Sequence, residues 1–483
     1  MEWTIRLEAR TGWGEVTSYE VGGLRRGLHD LSSEGVGLTL AEAKALLAEL
    51  QQRIVQDQVA EYVTCARVCP DCMALRRLRD QRTRTLQTLF GTVTVAAPRI
   101  RLCPCADTFD MADLSISPLA DVLPNRCTAE LCRLQAELSA RHSFREAGRL
   151  LETFVPCSPP NHTSVRNRLH RVSSKIEAVE AVEAVEAVEA VEAVEAVEAV
   201  EAGKPPVAAS PSTARRRGST RAEIVVMIDG AHLRAVLGLN TRHVDVTVGK
   251  VEKKGRPPRR FALAPMGTEQ PAQAITAALL AQGWQSGRLV TVISDGEPAL
   301  PNLVRIATGE PIRHILDWWH ISMRVRHIKQ TLAGICALRP AHQMGLDFVS
   351  LDVERLRYLI WNGYAEEACE ALWSLKHLAN EVIYLNGHRS GPAVRSFLHH
   401  CQDLRAYLAN NKDALIDYGT RYRSGRPIST SRAEGSVEEI ANARMAKRQQ
   451  MRWTPSGAHR VATVRAAVLD GRMRDLMMTQ LAA

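Results

Sequence analysis

Apolar positions change their spacing several times along the chain, and each spacing predicts a different kind of element. Residues 3–10 and 14–21 alternate between apolar and polar side chains, which is typical of strands with one covered face. From Leu40 to Val63 the apolar positions recur at helical spacing. We interpret the basic run at 73–90 as helical, whereas the alternation in GTVTVAAPRIRL at 91–102 predicts a strand.

Residues from Cys127 to Lys175 follow a helical pattern with two interruptions. Ser143 and Glu146 have the spacing of a capping box, and VPCSPPN breaks the pattern before HTSVRNRLHRVSSK. This segment can be interpreted as a DNA-binding helix-turn-helix or as a basic helix of an ordinary bundle. The first interpretation predicts three DNA-contacting side chains, namely Arg166, Arg168 and Arg171.

A pure three-residue repeat of Glu, Ala and Val occupies the chain from Glu177 to Ala202. Ala and Glu favour a helix, but a period of three distributes Glu around every face of a helix with 3.6 residues per turn. No apolar stripe remains, so the repeat predicts a solvated spacer, helical or partly disordered, that specifies no core. The Pro, Ser and Arg residues that follow, up to about Ala222, are typical of a linker.

Beyond the linker, short apolar runs predict a sheet. One run ends at Asp229, HVDVTVGKVE and RRFALAPM supply two more strands, and helices then alternate with a strand ending at Asp295 and with PIRHILDWWH. This order predicts a mixed sheet with helices on its faces. After His320 about a hundred residues have the spacing of a helical bundle, and from Tyr418 a basic helical section closes the chain.

A chain of 483 residues is too long for one ordinary core, so a multidomain α+β and α/β protein is expected. The predicted parts are an N-terminal α+β region, a cysteine-containing module, a helical DNA-binding region, the repeat with its linker, a sheet domain, a helical insertion and a last part of the sheet domain with basic helices. Their bounds are 1–64, 65–126, 127–176, 177–222, 223–320, 321–417 and 418–483.

The charge of the chain points to a polyanionic partner. The net charge is +9, and since the repeat contributes nine Glu without a positive residue, the rest of the chain carries +18. Such a surplus fits phosphate neutralisation on nucleic acid, although a charge that only keeps the protein in solution is the alternative. No apolar stretch has the length of a membrane span and the N-terminus is unlike a signal peptide, so a cytoplasmic, nucleoid-associated protein without a membrane partner is expected.

Four of the eleven cysteines have the spacing of a metal site. Cys69 and Cys72 form a C-x-x-C pair, and Cys103 and Cys105 form a C-x-C pair, each beside strand-like sequence. Both pairs together resemble a zinc ribbon, in which one structural Zn²⁺ replaces a missing core. Cys65 is a substitute ligand, and free thiols in an ordinary core are the alternative.

Asp229 and Asp295 each follow an apolar run and precede Gly. Carboxylates that project from the ends of neighbouring strands can hold divalent cations, and a pair of Mg²⁺ ions can activate a water or hydroxyl and stabilise the leaving oxygen of a phosphodiester. The alternative is that Asp-Gly only forms a good turn after a strand. Two copies in a basic protein favour the chemical interpretation.

A third carboxylate and a basic stripe follow near the C-terminus. The candidates for the carboxylate are Glu434, Glu438 and Glu439, although Ser431 and Glu434 also have capping-box spacing. Cationic side chains recur beyond them and end at Trp453. They are either a solvated face or contacts to the DNA backbone, and they comprise Arg444, Lys447, Arg448 and Arg452.

The order MIDG, VISDG, LDWWH and AEGSVEE…RMAKRQQMRWTPSGAH resembles the bacterial insertion-sequence transposases of the ISKra group, over most of residues 60–475. The resemblance implies an RNase H-like catalytic domain with an all-helical insertion, distantly similar to Mutator-type transposases. It implies a catalytic triad of Asp229, Asp295 and Glu434 that holds two Mg²⁺ or Mn²⁺ ions, with His320, the last residue of the Asp-Trp-Trp-His motif at 317–320, beside the scissile phosphate. It also implies that the protein binds double-stranded DNA, both element ends and target, as a homodimer or larger assembly.

Two other functions compete with a transposase. A decayed or domesticated relative would bind DNA without catalysis, through the zinc module and the helical region alone. A structure-selective nuclease would use the same carboxylates but would cleave without regard to the ends of an element.

Overall fold

The computed structural model describes residues 1–27, 29, 32, 36–103, 105, 114–158, 161–202, 222–264, 270–338, 346–385, 392–430, 437–446 and 451–478. It is a mixed α/β structure that divides into two compact units. The N-terminal unit comprises residues 1–172 and 473–483, and the larger unit comprises residues 173–472.

The N-terminal unit opens with an antiparallel hairpin and a long helix, as the sequence predicts. Strand β1 (Glu2–Arg10) pairs with β2 (Val16–Arg25), and helix α1 spans Leu40–Ala66. Thr39 and Glu42 form a reciprocal capping box at the start of α1, which satisfies backbone N–H groups that have no partner in the first turn.

Five short strands follow α1, and they correct one prediction. The strands are β3 (Leu78–Asp80), β4 (Thr83–Thr88), β5 (Gly91–Ala96), β6 (Arg99–Arg101) and β7 (Ser115–Ile116). They form a β3-β6-β7 sheet and a β4-β5 hairpin. The basic run at 73–90 is therefore not helical. Alternating Thr in β4 suits a strand, and β4 contributes Leu86 to a core shared with β5 and α1.

Four further helices contribute to this unit, namely α2 (Pro118–Val122), α3 (Ala129–Arg141), α4 (Phe144–Phe154) and the start of α5 (His162–Ala202). The last three agree with the helical pattern from Cys127 to Lys175, and α2 precedes that pattern. Ser143 is the N-cap of α4 and accepts a hydrogen bond from the backbone N–H of Glu146 at 3.2 Å. A short helix near the C-terminus, Met473–Met478, also belongs to this unit.

The larger unit is built on a five-stranded mixed sheet. Its strands are β8 (Ile224–Arg234), β9 (His243–Lys253), β10 (Arg259–Leu263), β11 (Thr291–Ser294) and β12 (Arg313–Leu316). Their spatial order is β10-β9-β8-β11-β12, with β9 antiparallel to both β10 and β8, and β11 parallel to both β8 and β12. The mixed sheet predicted from the sequence is confirmed.

Both faces of the sheet are covered by helices. On one face, Ile224, Val226 and Ile228 pack in a core with α6 (Gln270–Ala281) and α7 (Ala299–Thr308). On the other, Val225 and Met227 join a core with a set of long helices. These are α8 (Trp318–Leu338), α9 (Leu346–Trp361), α10 (Ala365–Leu385) and α11 (Pro392–Asn410). Burial on both sides explains why β8 begins as an unbroken aliphatic run.

A glycine makes room for an aromatic ring between two strands of this sheet. Gly249 of β9 is paired with Phe261 of β10, and a Cβ atom built at Gly249 would lie 2.1 Å from Cζ of that ring. No side chain fits in this space, so the ring can lie flat on the strand only where glycine stands.

The C-terminal section attaches to the same sheet through short elements. After α12 (Tyr418–Arg423), a π-helical turn at Glu438–Asn442 continues into α13 (Ala443–Met445), and α14 spans Pro455–Leu469. Between them, Trp453 forms a parallel bridge with Ala235 just beyond the end of β8. The basic C-terminal block is therefore part of the sheet domain.

An ion pair fixes the start of β8 to α12. The carboxylate of Glu223 accepts two hydrogen bonds from the buried guanidinium of Arg421, at 3.0 and 3.2 Å, and one from the Thr291 hydroxyl at 2.6 Å. Burial opposes ionisation of Glu223, but these hydrogen bonds outweigh it and lower the pKa of the carboxyl. A lowered folded-state pKa stabilises the fold above the unfolded value of about 4.3.

We expect Glu223→Gln to lower the free energy of unfolding at pH 7 by about 1–3 kcal/mol, because hydrogen bonds to a charged group are replaced by neutral ones. Denaturant titrations from pH 7 to pH 3.5 check this. The difference in free energy of unfolding between the wild type and the variant should stay constant down to about pH 5. It should then decrease as Glu223 of the wild type is protonated. A gap that widens in acid would contradict the assignment.

The beginning of the Glu-Ala-Val repeat corrects a second prediction, since it is fixed to the larger unit. Glu177 accepts a hydrogen bond from Nε2 of His459 at 3.0 Å, and Glu180 pairs with Arg472 at 3.1 Å and with Arg259 at 3.5 Å. Successive glutamates on a helix are displaced by only about 60°, so the first few of them still share one face. Over this short length the repeat does specify a partner.

His459 is held in one tautomer by its two neighbours. Its Nδ1 accepts the backbone N–H of Ala264 at 3.3 Å, so Nε2 carries the proton that is donated to Glu177. Burial opposes ionisation of Glu177, but the hydrogen bond from His459 helps to lower the pKa of its carboxyl.

We expect Glu177→Gln to destabilise the fold by about 1–2 kcal/mol and to speed amide exchange in α5 near Ser173 and in α14, because a charge-assisted bond is weakened. The matched control is Glu192→Gln, the same change five repeats later, which should leave exchange at both places unchanged. Equal effects of the two substitutions would show that the repeat acts only through its overall charge.

None of the helices in the described ranges has the length and hydropathy needed to cross a membrane.

Candidate functional site

Asp229 lies in the middle of β8 and not at its end, which corrects the sequence prediction. β8 continues to Arg234 beside β9, with Asp229 opposite Val248. The parallel neighbour β11 is shorter, and its last pair with β8 is Ile293 with Met227. Asp229 therefore lies just past the point where β8 loses one of its two neighbours. Its Oδ1 accepts the N–H of Gly230 at 2.8 Å, and the side chain is half-buried.

Asp295 directly follows β11, as predicted, and a tight turn fixes it. Its Oδ1 accepts the backbone N–H of Glu297 at 3.0 Å. Gly296 has a φ of +92°, and a Cβ atom there would lie 2.9 Å from Cδ2 of Leu316, so both conformation and space require glycine. The hydroxyl of Tyr407, on α11, donates to the carbonyl oxygen of Asp295 at 2.7 Å.

Burial and neighbouring charges act on the Asp229 carboxylate. Burial raises the pKa of Asp229, and the negative charges of Asp295 and Asp317 raise it further, while the N–H of Gly230 and the charge of His320 lower it. A carboxyl with a raised pKa gains from any added positive charge. Asp229, Asp295 and Asp317 thus make this edge of the sheet, where β8 and β11 are neighbours, an acidic site.

Asp317, the first residue of the Asp-Trp-Trp-His motif, joins the start of α8 to the segment that ends at Thr430. It is fully buried, and its Oδ1 accepts the backbone N–H groups of Trp319 at 2.8 Å and Thr430 at 3.1 Å. Its Oδ2 accepts the Thr430 hydroxyl. The N–H of Trp318 also donates to the carbonyl of Ile428 at 3.1 Å. The start of α8 thus fixes the chain immediately before residues 431–436.

His320 lies on the first turn of α8, facing Asp317. Its Nε2 is 3.7 Å from Oδ2 of Asp317, and this buried nitrogen makes no hydrogen bond within the described residues. The imidazole is 27% exposed and also contacts the edge of the Trp319 ring, with centroids 4.9 Å apart. Nε2 of His320 is therefore close to the acidic site and can still form a hydrogen bond.

The third carboxylate predicted for this site, Glu434, lies outside the described residues, as do Ser431, Lys447 and Arg448. The two neighbouring alternatives are placed. Glu438 accepts a hydrogen bond from Asn442 at 2.9 Å, and Glu439 lies 3.7 Å from Arg260. Glu439 therefore forms an ion pair with Arg260 of β10.

Two of the arginines predicted to contact DNA are buried, so those predictions are wrong. Arg168 is 5% exposed and donates to the side-chain amides of Gln87 and Gln135. Arg444 is fully buried, with its guanidinium 5.4 Å from the centre of the Trp453 ring, and burial lowers its pKa to about 10. Both side chains hold the interior together and neither presents a cation to a phosphate.

The other three described arginines of the prediction are on the surface. Arg166, Arg171 and Arg452 are exposed, and Arg171 donates to the side chain of Asn125 at 2.7 Å. They are available to phosphates, and their contact with DNA stays a prediction.

The four cysteines predicted to bind zinc lie together. The Sγ atoms of Cys69, Cys72, Cys103 and Cys105 are all within 4.8 Å of one another. Cys69 and Cys105 are 3.5 Å apart and Cys72 and Cys103 are 3.4 Å apart, distances too long for disulfides. Sulfur atoms spaced in this way surround a point at which a tetrahedral ion could bind.

Backbone N–H groups lower the pKa of one of these thiols, whereas the neighbouring thiols raise the pKa of Cys105. The N–H groups of Cys72 and Asp71 point at Sγ of Cys69 and lower its pKa to about 7, so the thiolate is available at neutral pH. Cys65, the substitute ligand of the prediction, is exposed on α1 and is not part of the cluster. The cluster could hold a structural metal such as zinc.

Comparison of the chain with protein-family models and with curated proteins finds no match.

Proposed function

We propose that the chain is a DDE transposase, which binds the terminal inverted repeats of its insertion sequence and catalyses metal-dependent strand cleavage and strand transfer. One observation carries this proposal. Asp229 and Asp295, which the sequence singles out in two distant segments, lie on β8 and directly after its parallel neighbour β11, and the charge of Asp295 contributes to the raised pKa of Asp229.

The topology of the sheet supports the same proposal. Three antiparallel strands followed by two parallel ones, in the order β10-β9-β8-β11-β12, are what an RNase H-like domain would have. Helices α8–α11 stand where the resemblance places an all-helical insertion, between His320 and Tyr418. The segment with Glu434 follows the insertion and begins at Thr430, which Asp317 holds beside the acidic site.

The chemistry would divide between the ions and the chain. Two Mg²⁺ or Mn²⁺ ions, when bound, would lower the pKa of the attacking water or 3′-hydroxyl and stabilise the leaving oxygen. Asp229 and Asp295 would supply hard oxygen ligands from a rigid platform, and Glu434 would complete the set. His320, with its free nitrogen, would donate to a nonbridging phosphate oxygen and orient the scissile bond.

Binding of the DNA would involve the N-terminal half and the charge of the chain. The proposed zinc module places basic strands around a fixed cysteine cluster, and Arg166 and Arg171 are exposed on the following helix. Pairing two element ends would require at least a homodimer, with double-stranded DNA as the common partner.

A strand-transfer assay tests the function. A labelled duplex that carries the inverted repeat from beside the gene, pre-cut to expose its 3′-hydroxyl, is incubated with supercoiled plasmid and Mg²⁺ or Mn²⁺. The proposal predicts covalent joining of the label to plasmid, and no joining for a scrambled duplex. Binding without joining would favour a DNA-binding relic, and plasmid cleavage that ignores the duplex would favour a nuclease.

A further inference from the structure

Arg324 is an exposed cation close to the acidic site that the proposed mechanism does not use. It is on α8, one turn beyond His320, and its guanidinium carbon lies 4.4 Å from the centre of the Tyr407 ring. No carboxylate in the described ranges forms an ion pair with it. The charge of Arg324 is thus fixed against a ring without being neutralised.

Tyr407 ties this position to Asp295. Its ring is half-buried between α11 and α8, and its hydroxyl donates to the Asp295 carbonyl oxygen at 2.7 Å. Burial raises the pKa of Tyr407, with the charge of Arg324 lowering it and those of Asp295 and Asp317 raising it. The guanidinium therefore stands within electrostatic reach of the acidic site, one aromatic ring away from Asp295.

A guanidinium stacked on an aromatic ring is well suited to binding a phosphate. The ring occupies one flat face, while the N–H groups at the edge remain free to donate two parallel hydrogen bonds to a phosphodiester. Stacking also fixes the side chain in advance, so less rotamer entropy is lost when the phosphate binds. Buried Arg444, also beside an aromatic ring, lacks this free edge.

We propose that Arg324 binds a backbone phosphate of the DNA strand whose scissile bond lies at Asp229 and Asp295, and so fixes the register of that strand. The inference rests on the proposed function, since it assigns a DNA strand to the acidic site. It makes Arg324 a substrate-binding residue that acts by positioning, and it makes Tyr407 the support of that residue.

The test compares Arg324→Ala with Arg326→Ala. Arg326 is the same residue type on the same helix, it is also exposed, and it lies about 200° around the helix from Arg324. The pre-cut element end is the probe, and the measurements are its Kd over a series of KCl concentrations, the KM and kcat for joining, and the Tm of each variant.

For Arg324→Ala we expect Kd and KM to rise about 10–100-fold, as for loss of a charge-assisted bond, with Tm unchanged. The slope of log Kd against log salt should decrease by about 1, because one phosphate contact is lost. Arg324→Lys should recover the salt slope but only part of the affinity. Arg326→Ala should change Kd by less than about 3-fold.

An unchanged Kd and salt slope in Arg324→Ala would overturn the inference, as would equal losses in Arg326→Ala. A fall in Tm with an unchanged salt slope would also overturn it, by showing that Arg324 only covers the Tyr407 ring. The binding measurements need no turnover. A wild type that joins no ends would therefore refute the proposed function, while the salt slopes would still decide whether Arg324 contacts DNA.

Discussion

Asp229→Asn and Asp295→Asn are each expected to reduce strand cleavage and joining by at least about a thousandfold. Either change removes a charged metal ligand, and a loss of several kcal/mol of transition-state stabilisation corresponds to this factor. DNA binding should persist, because the phosphate contacts lie elsewhere. Both positions tolerate Asn sterically, since the Oδ1 atom that accepts the backbone N–H of Gly230 or of Glu297 is retained.

Rates of joining at saturating DNA, measured beside Kd for the same duplex, check this expectation. Asp245→Asn is the matched control, because Asp245 is an exposed aspartate of the same sheet that pairs only with His232 among the described residues. Its activity should match that of the wild type. Activity in Asp229→Asn within tenfold of the wild type would exclude the proposed chemistry.

The same assay decides which glutamate completes the site. Glu434→Gln should be as inactive as the two aspartate variants, and Glu438→Gln should stay active because Glu438 is already bound by Asn442. The reverse result would keep the mechanism and move the third ligand to Glu438.

Cys69→Ser is expected to unfold the cysteine module and the small β3-β6-β7 sheet beside it. The strands of that sheet are only two or three residues long, and in small metal modules the free energy of metal binding is the free energy of folding. We expect about one equivalent of zinc in the wild type and loss of both the zinc and element-end binding in the variant. Zinc content by mass spectrometry and amide exchange of residues 67–103 measure these changes.

Cys65→Ser is the matched control and should retain the metal, since Cys65 lies outside the cluster. The affinity for the metal should fall as the pH is lowered, because protons compete with the metal for the thiolates. A wild type that holds no zinc yet shows the exchange protection of a folded module would contradict the expectation.

The strands of the larger unit could be predicted because burial on both faces leaves unbroken aliphatic runs. The same fact explains the error at Asp229. The aliphatic run of β8 stops where its neighbour β11 stops, whereas the strand itself continues to Arg234 beside β9 alone. An aliphatic run shows where a strand is covered by its neighbours. It does not show where the backbone pairing of that strand ends.

Charged positions were predicted less well, because a sequence does not show whether a long cationic side chain lies inside or outside. Arg444 belongs to a stripe of cations at helical spacing, yet it packs under Trp453, which itself bridges to β8. Arg168 satisfies two buried amides contributed by distant segments. The residues that Arg168 and Arg444 contact become their neighbours only in the tertiary fold. The local spacing of residues therefore does not predict these contacts.

The cysteine cluster shows the opposite case. Spacing alone predicts four residues whose Sγ atoms lie together, since C-x-x-C and C-x-C each bring two thiols together locally and only one long-range contact is needed to join them. The basic run between the pairs is not the predicted helix. Its Arg and Leu residues have good helix propensity, but pairing with β5 and β6 decides its conformation.

The most direct test of the account is the cleavage of an intact duplex that spans one end of the element, labelled on each strand in turn and incubated with Mg²⁺. If Asp229 and Asp295 form the catalytic site of a transposase, the wild type will nick at the element boundary and leave a 3′-hydroxyl, and neither aspartate variant will. Wild-type protein that binds this duplex but leaves both strands intact with Mg²⁺ and with Mn²⁺ would contradict the account and leave a DNA-binding protein.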